Sequence, residues 1–149
     1  MINGQEDCVF CKVVNGQEPV STVYEDDSVI VILDIQPVNQ GHLLVIPKTH
    51  AVYLEDLAPD LGAHLFKVAM RMSEALRASD IPCEGVNLLL ADGEAAGQEI
   101  PHVHLHVIPR FESDGFGFKF DESYFTLPER EELDDAARKI ALRDTKVTN

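Results

Sequence analysis

The sequence predicts an α+β fold in which strands come first, one dominant helix follows, and further strands precede a helical appendage. Three observations carry that reading. Short runs rich in Val, Ile and Leu, separated by turn residues, fill the stretch from Val20 to Ile46. An amphipathic stretch then recurs at helical spacing from about Pro59 to Ala78. Finally, Ile100 to Arg110 alternates histidine with aliphatic residues at a period of two.

Taken in order, Val20 to Glu25 reads as a strand, Asp26-Asp27 as a turn, and Val29 to Asp34 as a fully buried strand. Pro37 to Gly41 makes a loop before the strand His42 to Ile46, which Pro47 ends. The spacing is that of an antiparallel meander. In the long helix Leu61, Leu65, Val68, Met72 and Leu76 share one face, and Pro59 suits the first turn. Val86 to Ala91 is the next strand, and residues 92–98, with Gly93 and Gly97, are a loop. Thr126 and Glu129 fit a capping box ahead of a short terminal helix whose Leu133, Ala137 and Ile140 share a face.

Composition narrows the function classes. The chain of 149 residues carries 12 basic and 26 acidic residues, a formal charge of −14. That charge argues against a nucleic-acid polymer or an anionic membrane as partner, though not against a single nucleotide in a donor-rich pocket. No apolar run approaches the ~20 residues of a membrane span. Met1 to Asp7 has no basic or apolar leader segment, so the expected location is cytoplasmic. The 3 cysteines then read as thiols or metal ligands rather than a disulfide framework.

Half of the 6 histidines are His102, His104 and His106. On a strand all three imidazoles face one side while Val103, Leu105 and Val107 face a core. The plain alternative is a polar edge-strand face, which Lys, Thr or Glu would serve as well. A shared chemical site is the sharper reading. At about 3.3 Å per residue, His102 and His106 lie roughly 13 Å apart, too far to share one metal ion comfortably. The three therefore divide chemistry from support. Separately, Cys8-x-x-Cys11 has the spacing of a structural zinc half-site, the alternative being two small buried hydrophobes. Cys83 has no visible partner, His42 and His64 belong to no motif, and His64 is expected at the helix surface.

The run His102-Val103-His104-Leu105-His106-Val107-Ile108, preceded by Gly97-Gln98, resembles the histidine triad (HIT) family. Asp26-Asp27, Leu33 to Pro37, Gly41 to Lys48 and His50 extend the match over roughly residues 8–118, leaving an extension of about 119–149 within one domain. The resemblance implies a five-stranded antiparallel sheet with one long and one short helix, in a homodimer. It implies a hydrolase acting at the α-phosphate of a purine nucleoside phosphoramidate or dinucleoside polyphosphate. In that reading His104 is the nucleophile and forms a nucleotidyl-histidine. His106 contacts phosphate oxygens, and Gln98 orients the phosphate or leaving group. Asp34 takes ribose hydroxyls, Phe10, Val13, Leu33 and Ile35 form the base pocket, and flexible Gly97 admits close approach, its loop amides being possible donors. Cys8, Cys11, His50 and His102 match the zinc ligands of a mostly bacterial subset.

Residue chemistry agrees, since a neutral imidazole is a competent nucleophile near neutral pH. Two departures bear on substrate. Ala91 and Asp92 stand where many relatives carry Asn, and Glu99 stands where phosphoramidase members carry Ser; Glu99 is expected to point away from the phosphate. Two rival readings remain: a zinc-stabilised nucleotide-binding or partner-binding module with little turnover, and a catalytic zinc on the histidine strand.

Overall fold

A computed structural model describes residues 5–144, so the first four residues of the segment read above for a leader lie outside the described range. The chain forms two compact units that divide between Phe116 and Gly117. In the first, a short helix α1 (Val9–Val14) precedes strands β1 (Thr22–Glu25), β2 (Val29–Leu33) and β3 (Leu43–Pro47). The long helix α2 (Pro59–Ala78), β4 (Gly85–Leu89) and β5 (Leu105–Arg110) complete it. The five strands form one antiparallel sheet in the order β1-β2-β3-β5-β4. The first three are the expected meander. The last two are not, because the α2 crossover carries β4 past β3 to the far edge and β5 returns into the gap.

Strand alternation sorts the core into two layers. Val29, Val31, Leu43, Val45, Leu105 and Val107 face α2, where Leu65, Val68, Met72 and Leu76 cover them. The opposite parity, Ile30, Ile32, Leu44 and Ile46, faces α1 and is covered by Phe10 and Val13. Histidine 106 pairs with Leu44 across β3 and β5 and shares that second face. The same rule therefore builds the core with one set of side chains and the site with the other.

Two local expectations change. The strand bearing the histidines starts at Leu105, so His102 and His104 lie in the segment leading into it, and only His106 is in the ladder. Pro101 supplies no amide proton for a ladder there. Helix residue His64 is half-buried rather than plainly surface: its Nε2 lies 2.6 Å from Asp26 Oδ2. Asp26 also accepts from Tyr24 Oη and from the Ser28 and Val29 amides, closing the β1–β2 turn and tying it to α2.

The second unit holds a 3₁₀ turn (Glu122–Phe125) and helix α3 (Arg130–Ala141). Its cap is Glu129 with Glu132, not Thr126: the Glu129 amide donates to Glu132 Oε2 at 2.8 Å. Thr126 instead ends the 3₁₀ turn. Among the described residues no helix is long and apolar enough to cross a membrane.

Leu65, 2% exposed, is the centre of the α2 layer. Leu65→Ala should lower unfolding stability by about 2–5 kcal/mol in urea titrations, the range for an unfilled core cavity. A change below about 0.5 kcal/mol would contradict this packing.

Candidate active site

The face of β2, β3 and β5 turned toward α1 opens into a cleft of about 570 Å³. Phe10 and Val13 form its buried wall, while Leu33 and Ile35 stand at the mouth, Ile35 being 97% exposed. Asp34, Gly97, His104 and His106 also line it. Phe10 packs edge-on against His104 with ring centroids 5.0 Å apart, and His104 meets His106 at 4.9 Å.

Hydrogen bonds fix which nitrogen of each ring carries the proton. Nδ1 of His104 lies 2.7 Å from the His102 carbonyl, so Nδ1 is the donor and the Nε2 lone pair is free. No buried side-chain nitrogen or oxygen among the described residues lacks a partner, so that Nε2 is reached by solvent. A second chain of bonds begins at Val38, whose amide donates to His42 Nδ1 at 3.0 Å. His42 must then carry its proton on Nε2, which lies 2.8 Å from His106 Nδ1. His106 accepts there, and its own proton sits on Nε2. A nucleophilic lone pair and a donor N–H thus stand side by side on adjacent rings.

His42 was missed by reasoning from the histidine motif alone. The usable signal was parity: His42, Leu44 and Ile46 share the face that carries His106. Asp34 lies beside it, with Oδ2 at 3.6 Å from His42 Nε2 and Oδ1 accepting the Gln36 amide. Burial lowers the pKa of His42, His104 and His106. For His106, burial and then the neighbouring His104 and His42 bring it down to about 4. These rings are therefore neutral at ordinary pH.

Gln98 is placed differently from the phosphate-orienting role the motif implies. Its Nε2 donates to the Val52 and Ile100 carbonyls and its Oε1 accepts from Gly93, so the whole amide is spent on holding the loop. The loop amides of Ala96, Gly97 and Gln98 are likewise bonded to Gly93 and Glu94 carbonyls rather than offered to a ligand. Gly97 has φ of +91° in a left-handed turn, with open space where a Cβ would stand. Asp92 accepts the Leu54 amide and anchors the loop's start. Glu99, expected to turn away from the phosphate, borders both the cleft and a smaller cavity beside Val52, Tyr53 and Gln98.

Cys8, Cys11, His50 and His102 converge at one end of α1, their donor atoms all within 4.8 Å of one another. Cys8 Sγ lies 3.3 Å and Cys11 Sγ 3.6 Å from His102 Nδ1, and the two imidazole Nδ1 atoms are 3.2 Å apart. Zn–S bonds near 2.3 Å and Zn–N bonds near 2.0 Å give tetrahedral edges of roughly 3.3–3.8 Å, close to these separations. His102 passes a stricter test. Its Nε2 proton goes to the Pro47 carbonyl at 2.8 Å, leaving a lone pair on Nδ1 aimed at the cluster. The Asp34–His42–His106 group fails that test, since the proton on His42 Nε2 bridges to His106. Without a cation, burial and Cys8 push the Cys11 thiol up to about 11.

A five-stranded sheet that sets alternating histidines over an apolar cleft defines a histidine triad protein. The chain belongs to the HIT family: the HIT domain model matches residues 15–113. It is 47% identical over 114 residues to an uncharacterized HIT-like protein of Borreliella burgdorferi, covering 76% of this chain and 82% of that one. It is 43% identical over 110 residues to the adenylylsulfatase HINT3 of Arabidopsis thaliana, covering 74% of this chain and 55% of that one. A crystal structure of a zinc-bound histidine triad family protein from Mycobacterium smegmatis aligns with TM-score 0.73 at 40% identity, covering 93% of this chain and 98% of that one.

Since the folded His106 value lies below the ordinary 6.5, the unfolded chain binds the extra proton between them. Stability is full above pH 6.5 and is lost as pH falls toward about 4. Urea midpoints should drop across that window, and drop less in His106→Asn; parallel curves for the two proteins would contradict the assignment.

Proposed function

We propose that the chain hydrolyses purine nucleoside phosphoramidates or dinucleoside polyphosphates at the α-phosphorus, releasing a nucleoside monophosphate. One observation carries this reading: the Nδ1–H of His104 is held by the His102 carbonyl at 2.7 Å, which leaves Nε2 free in the cleft. Family membership and the likeness to an adenylylsulfatase support it.

The Nε2 lone pair attacks phosphorus, and the bond to the leaving group breaks with its electron pair. The leaving group takes up a proton, and the nucleotide stays on His104. Positive charge then spreads over the ring, and the Nδ1–H···O bond to His102 strengthens. The Nε2–H of His106 donates to a phosphoryl oxygen, held in place by His42. Water next displaces the nucleotide, frees Nε2 and returns the proton consumed earlier. Asp34 accepts from ribose hydroxyls, while Phe10, Val13, Leu33 and Ile35 cover the base. Gln98 serves through the loop it braces, and Gly97 leaves room for the nucleotide to approach.

Cys8, Cys11, His50 and His102 would hold zinc with four protein donors, the ligand set of a structural site. It fastens α1, and with it Phe10 and Val13, to the segment that carries the nucleophile. The single-domain reading (core about 8–118, extension about 119–149), the homodimer and the cytoplasmic location belong to the same proposal. Exposed Phe66 and Met70 on α2 and Leu89 on edge strand β4 offer a surface for a second copy, and the free thiols suit a reducing compartment.

His104→Ala should remain folded and lose AMP release, from whichever of adenosine 5′-phosphoramidate and diadenosine polyphosphate the native protein cleaves, by about a thousandfold or more. Wild-type rates in that variant, or no release by the native protein, would refute the hydrolase. Metal analysis should find about one zinc per chain. Chelation should lower Tm, and His102→Ala should lose zinc. Full activity loss on chelation with Tm unchanged would instead favour a catalytic metal.

A further inference from the structure

Three acidic residues, Glu18, Asp34 and Glu99, border the cleft, and no lysine or arginine does among the described residues; Glu99, exposed, stands between the cleft and a smaller cavity beside Val52 and Gln98. Arg110, on β5, is held by other groups. It forms a bidentate pair with Asp114 at 2.6 and 2.8 Å and bonds Asn87 and the Phe116 carbonyl. The histidines add no fixed positive charge, since the bonds from Val38 through His42 to His106, and from His104 to the His102 carbonyl, fit one proton on each ring. The amides of the loop at Ala96, Gly97 and Gln98 are turned inward. A site built to cleave a polyphosphate needs cations or free donors to hold several negative charges beyond the scissile bond. This cleft offers carboxylates there instead.

The three carboxylates divide by position. Asp34 leaves β2, and Glu18 precedes β1 beside the apolar wall of α1, both on the base and ribose side of the sheet order. Glu99 lies on the loop that joins edge strand β4 to β5, five residues before the nucleophile. Its neighbours in the cleft wall are Gly97, where nothing fills the space a Cβ would occupy, and Ile100. An extended group leaving phosphorus through that open side passes the Glu99 carboxylate.

We propose that Glu99 is a specificity-determining residue that selects nucleotides whose leaving group is a cationic amine and rejects those whose leaving group is anionic. The inference rests on the hydrolase reading above and adds the charge class of the leaving group. The reaction is unchanged in its balance: the P–N bond breaks, the amine departs with the electron pair and one proton, and water later releases AMP and a proton. The second amine of the substrate, already protonated, pairs with Glu99. Opposite charge at that point strengthens the interaction and like charge weakens it, each screened by salt.

The experiment compares three adenosine 5′-phosphoramidates with the same P–N bond, made from 1,2-diaminoethane, n-propylamine and β-alanine, using the native full-length protein. The kcat/KM values should fall in the order cationic, neutral, anionic, with about tenfold or more between the ends. Glu99→Gln should shrink that ratio to less than about threefold, Glu99→Lys should reverse the order, and 0.5 M salt should compress the native ratio. A ratio near one in the native protein, or one that persists unchanged in both variants, overturns the role of Glu99 while leaving the hydrolase intact. Absence of AMP release from all three substrates overturns both.

Discussion

One residue, His102, ties the molecule together through three separate atoms. Its Nε2–H is held by the Pro47 carbonyl on β3, and its Nδ1 lone pair faces Cys8, Cys11 and His50. Its backbone carbonyl takes the Nδ1 proton of His104. The first bond fixes the ring, the second gives the cysteine cluster its imidazole donor, and the third decides which nitrogen of the next histidine is free. His102 is wholly buried, so each of these groups would be costly to leave unpaired. Through these bonds the cluster of Cys8, Cys11 and His50 is joined to the ring of His104, two residues away.

The site also depends on keeping its imidazoles neutral. Burial disfavours the charged ring, and at His106 the neighbouring His104 and His42 add repulsion whenever more than one of them is protonated. Asp34 opposes both effects but does not overturn them. Such a cleft can present a lone pair and an N–H to phosphate without holding a fixed positive charge. The same property makes the surrounding carboxylates decisive, because nothing cationic in the wall offsets them.

Much of this was legible in the sequence. Period-two alternation put His104 and His106 on one side, although His102 turns to the cysteine cluster, and helical spacing located the helix Pro59–Ala78. Residues far apart along the chain, Cys8, Cys11, His50 and His102, were linked only through family likeness; alternation and spacing carry no information about contacts across ninety residues. The β4–β5 order was not legible, because hairpin spacing is silent about which edge a strand joins after a helical crossover. The bonds that occupy Gln98 were not legible for a related reason. Whether a loop side chain faces inward depends on carbonyls such as Val52 and Ile100, which only the folded loop brings within reach. His42 escaped notice because a single histidine opening a strand looks like any polar start.

The central claim is that the free nitrogen of His104 bonds to phosphorus during turnover. Rapid acid or base quenching of the protein in steady turnover with an adenosine phosphoramidate, followed by peptide mass spectrometry, reads this directly. The account predicts a nucleoside monophosphate adduct on the peptide carrying His104, stable to base and labile to acid, as a phosphoramidate linkage requires. An adduct on another residue, or brisk AMP release with no adduct at any quench time, would contradict it.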